Sequence, residues 1–156
     1  MKSQLTTLCY LQTKDSYLLM HRIFKENDIN HNKWIGLGGH FEFGESPEDC
    51  LLREVKEESG LTLTDYKLRG IVTFLSDDDP AEYMFLYSAD VWTGQLKECD
   101  EGKLEWIKKS DFIQLEHWEG DLIFLRLMEE NHPFFSLKLL YKNGKLVEKY
   151  LDGKSI

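Results

Sequence analysis

Residues 39–61 read GHFEFGESPEDCLLREVKEESGL, and the fold has to be built around what this stretch becomes. Ser46 is a capping hydroxyl, Pro47 brings its fixed φ to the first helical position, and Asp49 stands three residues after the cap. Gly60 supplies the stop, because glycine enters the left-handed conformation that ends helices at no steric cost. The spacing predicts a helix over residues 47–59, with Leu51, Leu52 and Val55 forming its core-facing stripe.

Glu54, Glu57 and Glu58 then fall at i, i+3 and i+4, so their carboxylates leave from one side of that helix. Like charges so placed cost an isolated helix roughly a few tenths of a kcal/mol per pair, and a hard divalent cation reverses the sign. Oxygen-only ligands suit Mg²⁺ or Mn²⁺ rather than zinc. Taken alone, the three glutamates read as a solvated acidic face, since Glu-rich helices are common. The neighbours alter that reading. Gly38-Gly39 lets bare backbone approach a metal or phosphate, and Glu45 lies just before the cap, where pairing with Arg53 would lock loop to helix.

Outward from this segment, strands dominate. Apolar runs over residues 5–11 and 17–20 flank a polar turn, and residues 25–33 form a polar loop before a short strand over 34–37. Further strands are expected over 67–75, 83–92 and 102–108, with an acidic turn at 76–81. A second amphipathic helix spans 120–131 and offers Leu122, Leu125, Leu127 and Met128 to the core. Residues 135–141 and 145–151 flank Asn143-Gly144, the strongest hairpin signal in the chain. Two helices inserted among strands suggest an α/β (α+β) domain, a layered α/β/α arrangement on a mixed sheet, with residues 1–156 as one domain.

Composition narrows the function. The chain has 156 residues, 42% of them hydrophobic, enough for one real core. No stretch approaches the ~20 apolar residues of a membrane span, and Lys14 and Asp15 interrupt the N-terminal apolar run, so it reads as strands and not as a signal peptide. Cys9, Cys50 and Cys99 are odd in number and lack metal-type spacing, which suits free thiols in a reducing cytoplasm. A formal charge of -9 argues against long nucleic acid as a partner. Any phosphate ligand must therefore be held locally, by metal ions, a few cations or backbone amides.

Gly39, Glu45, Arg53, Glu54, Val55, Glu57, Glu58, Gly60 and Leu61 match the Nudix box, G-x5-E-x7-R-E-U-x-E-E-x-G-U, without one departure. The chain thus resembles the Nudix hydrolases, which implies an α/β/α sandwich with the box as a loop–helix–loop motif. The resemblance implies that Glu54 and Glu58 bind metal (Mg²⁺, with Mn²⁺ possible), that Glu57 assists directly or through water, and that the carbonyl of Gly38 adds a ligand. It makes Arg53 the residue that orients a catalytic glutamate and Glu45 the residue that holds Arg53. Glu54 and Glu101 are the candidate general bases, and Glu101 is also a metal candidate by resemblance, or else an exposed acidic turn.

A wider similarity, carried by residues 33–39, 101–106, 118–121 and the C-terminal Phe134-Phe135 hairpin, is to the MutT-type 8-oxo-dGTP diphosphatases. It implies cleavage of purine nucleoside triphosphates, oxidised ones included, to monophosphate and pyrophosphate, in the service of DNA repair. It also implies a base pocket using Trp118 and Asp121. The animal enzyme of that group has an asparagine where Ile35 stands and a second acid where Gly120 stands, which leaves base selectivity open. Other nucleoside diphosphate-linked substrates (an unmodified nucleotide, an NDP-sugar, an RNA 5′ end) are the alternatives, and a non-catalytic nucleotide sensor ranks behind them because the box is intact. Trp34 reads as core packing. Arg22 could meet a phosphate, with surface solvation as the default, and His40 could touch phosphate or simply be exposed. The sheet edge at the terminal hairpin could support a homodimer, though nothing in the sequence requires one.

Overall fold

Alternation along the first strand sets the layering. In the computed structural model, which describes residues 2–156, β1 (Gln4–Leu11) turns Cys9 and Leu11 to one face and Tyr10 to the other. β2 (Ser16–His21) divides Leu18 and Met20 from Tyr17 and Leu19 in the same way. Two apolar clusters result. One takes the buried face of helix α1 (Pro47–Ser59) through Leu51 and Val55, and the other takes helix α2 (Asp121–Glu129) through Phe124, Leu125, Leu127 and Met128. Burying a leucine or valine side chain of this kind contributes about 1.5–3 kcal/mol.

The remaining strands are β3 (Trp34–Ile35), β4 (Thr62–Ser76), β5 (Glu82–Thr93), β6 (Lys103–Lys108), β7 (Phe135–Lys142), β8 (Lys145–Leu151) and β9 (Lys154–Ser155). They form a six-stranded sheet in the order β1-β5-β4-β7-β8-β9 and a three-stranded sheet in the order β3-β2-β6. The large sheet is mixed: β1 runs parallel to β5, β4 antiparallel to β5 and parallel to β7. The expected α/β/α layering on a mixed sheet is the fold observed.

Local expectations fare unevenly. The box helix has both halves of its capping box: Asp49 N–H donates to Ser46 Oγ at 3.1 Å, and Ser46 N–H donates to Asp49 Oδ2 at 3.0 Å. Gly60 ends it at φ 80°. Asn143 (φ 52°) and Gly144 (φ 77°) make the tight β7–β8 turn, the double positive φ that a two-residue hairpin loop demands. β4 starts at Thr62 rather than near residue 67, because bulges around Leu63–Tyr66 and Leu68–Gly70 break the alternation that pattern reading follows. A short 3-10 turn (Lys109–Gln114) and β9 were not expected. Phe124 is fully buried beyond the expected stripe of α2, whereas Leu52 and Leu122 are only partly covered. No helix among the described residues is long and apolar enough to cross a membrane.

Candidate active site

The loop before α1 and the helix itself are tied together by one guanidinium. Arg53 donates to both oxygens of Glu45, Nε to Oε2 at 2.7 Å and Nη2 to Oε1 at 2.8 Å, which is the bidentate fork that suits arginine. Nη2 also reaches the His40 carbonyl at 3.1 Å, and Nη1 donates to Glu54 Oε1 at 2.8 Å. The Arg53 guanidinium and the Glu42 amide hold the Glu45 carboxyl at about 2, well below its usual range. The clamp thereby fixes one oxygen of Glu54.

Glu54, Glu58 and Glu101 converge from two segments, each offering a carboxylate oxygen within 4.8 Å of the others. Glu58 is only 3% exposed and accepts the Gly38 N–H at 2.9 Å. Burial, then the nearby Glu101 and Glu54 carboxyls, push the Glu58 carboxyl up to about 10. Burial also raises Glu54, against the pull of Arg53. Three converging carboxyls with one nearly sealed from water favour a positive charge, a proton or a cation, among them. A donor set of oxygens alone fits a hard divalent ion.

The two glycines before the helix are explained by what lies against them. A Cβ on Gly39 would stand 2.5 Å from the Glu54 carboxyl carbon, and one on Gly38 would stand 1.9 Å from the Thr7 carbonyl oxygen. A side chain at either position would displace the carboxylates or the strand under them. Gly102, next to Glu101, is packed just as tightly: a Cβ there would lie 2.6 Å from the His21 carbonyl oxygen.

A cleft of about 570 Å³ adjoins this centre. Gly38, Gly39 and Glu101 line it, and so do Asn30, Trp118 and Asp121. Asp121, at 6% exposure, is held well above the usual carboxylate range by burial, against the opposite pull of Lys33. Trp118 meets Phe74 and Tyr141 edge-on, carries the Lys33 ammonium 4.7 Å over its ring, and donates its indole N–H to Asn30 Oδ1 at 2.6 Å. The Tyr10 hydroxyl is buried and has no hydrogen-bond partner among the described residues.

The geometry gathers some of the expected site residues and leaves others out. Glu54, Glu58 and Glu101 come together; Glu57 does not join them, being largely exposed with only a 3.4 Å contact to Arg53. The Gly38 amide is engaged by Glu58, beside the carboxylates its carbonyl was expected to join. Arg22 lines the cleft, but its guanidinium is bonded to Asp28 at 2.7 Å. Trp34 stacks on His21 at 4.2 Å and packs against the core, while His40 lines the cleft within reach of Gln4. Gly120 has no room for an acid, since a Cβ would meet Leu139 at 2.5 Å and the Tyr141 hydroxyl at 2.7 Å. Asn30, Lys33 and Phe74 were missed: they sit in a polar loop and a long strand, and no spacing in the sequence marks them.

Comparison with known proteins places this arrangement. The NUDIX domain family matches residues 2–128. A Nudix hydrolase of Bacillus subtilis whose activity is uncharacterised is 37% identical over 123 residues, covering 76% of this chain and 74% of the relative. The oxidized purine nucleoside triphosphate hydrolase of Danio rerio is 30% identical over 131 residues, covering 82% and 83%. Among solved structures, the MutT protein of Bacillus halodurans superimposes with a TM-score of 0.83 at 27% identity, over 96% of this chain and 97% of that one.

Proposed function

This chain belongs to the Nudix family, as a MutT-type pyrophosphohydrolase, and from that premise we propose that it hydrolyses purine nucleoside triphosphates, 8-oxo-dGTP foremost, to monophosphate and pyrophosphate. One observation carries the reading: a single cleft is lined both by Glu101 of the carboxylate centre and by a buried acid and an indole. The first can hold a charged diphosphate through a divalent ion, and the second has the mixed apolar and hydrogen-bonding character that reads a base.

Glu54, Glu58 and Glu101 would hold the ion, for which Mg²⁺ is the first choice and Mn²⁺ the second. When bound, it supplies charge neutralisation at the diphosphate and acidifies water. Arg53 acts as a positioning residue, keeping Glu54 in one orientation, and Glu45 holds Arg53. Glu54 and Glu101 are the two candidate bases for the attacking water, and Glu57 remains a candidate for assistance from outside the cluster. Asp121, whose neutral form burial favours against the pull of Lys33, would in that form present an O–H donor and a carbonyl acceptor to the base. Such an enzyme works in the cytoplasm on small nucleotides and removes damaged precursors before they enter DNA.

A second reading has its own support. Ile35 gives the cleft only carbon and Gly120 admits no second acid, which favours looser base selection and other nucleoside diphosphate-linked substrates. A nucleotide panel assayed for pyrophosphate release with and without Mg²⁺ separates the two. The first expects kcat/KM for 8-oxo-dGTP to exceed that for dGTP; equal values would sink the preference for an oxidised base, and turnover of NDP-sugars alone would sink the triphosphate reading.

A further inference from the structure

The loop between β2 and β3 is held by more bonds than a surface connection requires. Arg22 Nε donates to Asp28 Oδ2 at 2.7 Å, and the other oxygen of Asp28 accepts the Asn30 N–H at 3.0 Å. The Arg22 N–H donates to the Lys33 carbonyl at 3.0 Å, and the Asn32 N–H donates to the Arg22 carbonyl at 2.6 Å. These bonds fix the backbone of Asn30, and Trp118 fixes its side chain. An indole N–H can only donate, so the amide oxygen must be the atom that faces it, and the Asn30 NH₂ group is turned elsewhere. Asn30 is half-buried and lines the cleft together with Asp121, and among the described residues no acceptor takes its NH₂. Ile35, also in the lining, brings no polar group.

We propose that Asn30 is a specificity-determining residue, whose side-chain NH₂ donates to the carbonyl-bearing edge of a guanine-type base seated in the cleft beside Asp121. The group that distinguishes the purines there is O6, an acceptor in guanine and in 8-oxoguanine, where adenine carries an amino donor. A pre-oriented donor distinguishes them, because an adenine amino group would face the amide NH₂ with neither group satisfied. The inference rests on the purine reading above.

Asn30→Asp tests it. The variant keeps an oxygen for the Trp118 indole and replaces the NH₂ donor with an acceptor. Its added charge disfavours every nucleotide alike, so the ratio of affinities is the quantity to read. Titration calorimetry with dGMP and dAMP measures that ratio without turnover. The wild type is expected to favour dGMP, and Asn30→Asp to move the Kd ratio about tenfold toward dAMP, with tryptophan emission and Tm unchanged. Asn30→Leu, losing both functions, should abolish the preference and shift tryptophan emission. A folded Asn30→Asp with an unmoved ratio overturns the proposal; if that enzyme still hydrolyses purine triphosphates, the functional reading stands without it. A shifted ratio in a protein that hydrolyses no purine triphosphate upholds Asn30 and sinks the substrate reading. Binding of neither nucleotide by the wild type overturns both.

Discussion

In the carboxylate centre, Glu45, Arg53, Glu54 and Glu58 come from one loop and one helix, and Glu101 arrives from elsewhere. In the part of the cleft proposed to take the base, Asn30, Phe74, Trp118 and Asp121 come from a loop, the long β4 strand, a connection and the start of α2. The first group is encoded by helical spacing, so its geometry follows from local sequence. The second exists only after distant segments have packed. On the proposed reading, chemistry is local in this chain and selectivity is tertiary. Substitutions in the two groups should differ in kind, one set changing rate and the other changing which nucleotide is taken.

The largest effect is expected from Glu54→Gln and Glu58→Gln. Each should lower kcat on the order of 10³-fold and weaken the dependence on Mg²⁺, as loss of a direct ion contact costs several kcal/mol. If either variant turned over at the wild-type rate under saturating nucleotide, the carboxylate centre would be misassigned.

Gly39→Ala sharpens the same side of the comparison. The added methyl enters the space of the Glu54 carboxyl, 2.5 Å from its carbon. We expect kcat to fall about 10–100-fold, the usual range for disturbing a group that supports a ligand, with Tm nearly unchanged. A loss of stability as large as the loss of rate would make Gly39 a folding residue instead.

Asp121→Ala breaks the comparison from the other end. Discrimination among purine triphosphates should change by about tenfold, in kcat/KM, while the Mg²⁺ dependence stays as it was. An altered metal requirement with unchanged base preference would contradict the division between the two groups.

The smallest effect concerns the clamp. The folded Glu45 carboxyl sits at about 2 against an ordinary 4.5, so its contribution to stability is present above pH 4.5 and is lost as pH falls toward 2. The Tm difference between wild type and Glu45→Gln should therefore be small at pH 7, shrink below pH 4.5 and vanish near pH 2. A difference that grew with acidity would show that Glu45 does not act through its charge.

The same contrast explains what could be read in advance. The capping box, the Gly60 stop, the Asn143-Gly144 turn and the Glu–Arg pairing are short-range signals, and each took the form its spacing implied. Glu57 shows the limit of helical spacing: it shares a helix side with Glu54 and Glu58, yet it lies outside their cluster with Glu101 and contacts Arg53 at 3.4 Å. The Arg22–Asp28 pair was not legible, because the two residues stand six apart in a loop with no periodicity to betray the pairing. The bulged start of β4 was hidden because an extra residue reverses which side chains face inward.

The contact of Gly102 with the His21 carbonyl has a further consequence. β2 ends at His21, which pairs with Lys103 at the start of β6. One step beyond that pair lies Arg22, the anchor of the loop that carries Asn30; two steps before Lys103 lies Glu101. Glu101 and the Asn30 loop therefore hang from the same strand pair, joined where a Cβ on Gly102 would meet the His21 carbonyl oxygen. On the proposed reading this joint is a ruler: its two marks are a diphosphate grip and a base donor, and a ligand must match the interval between them to be held at both.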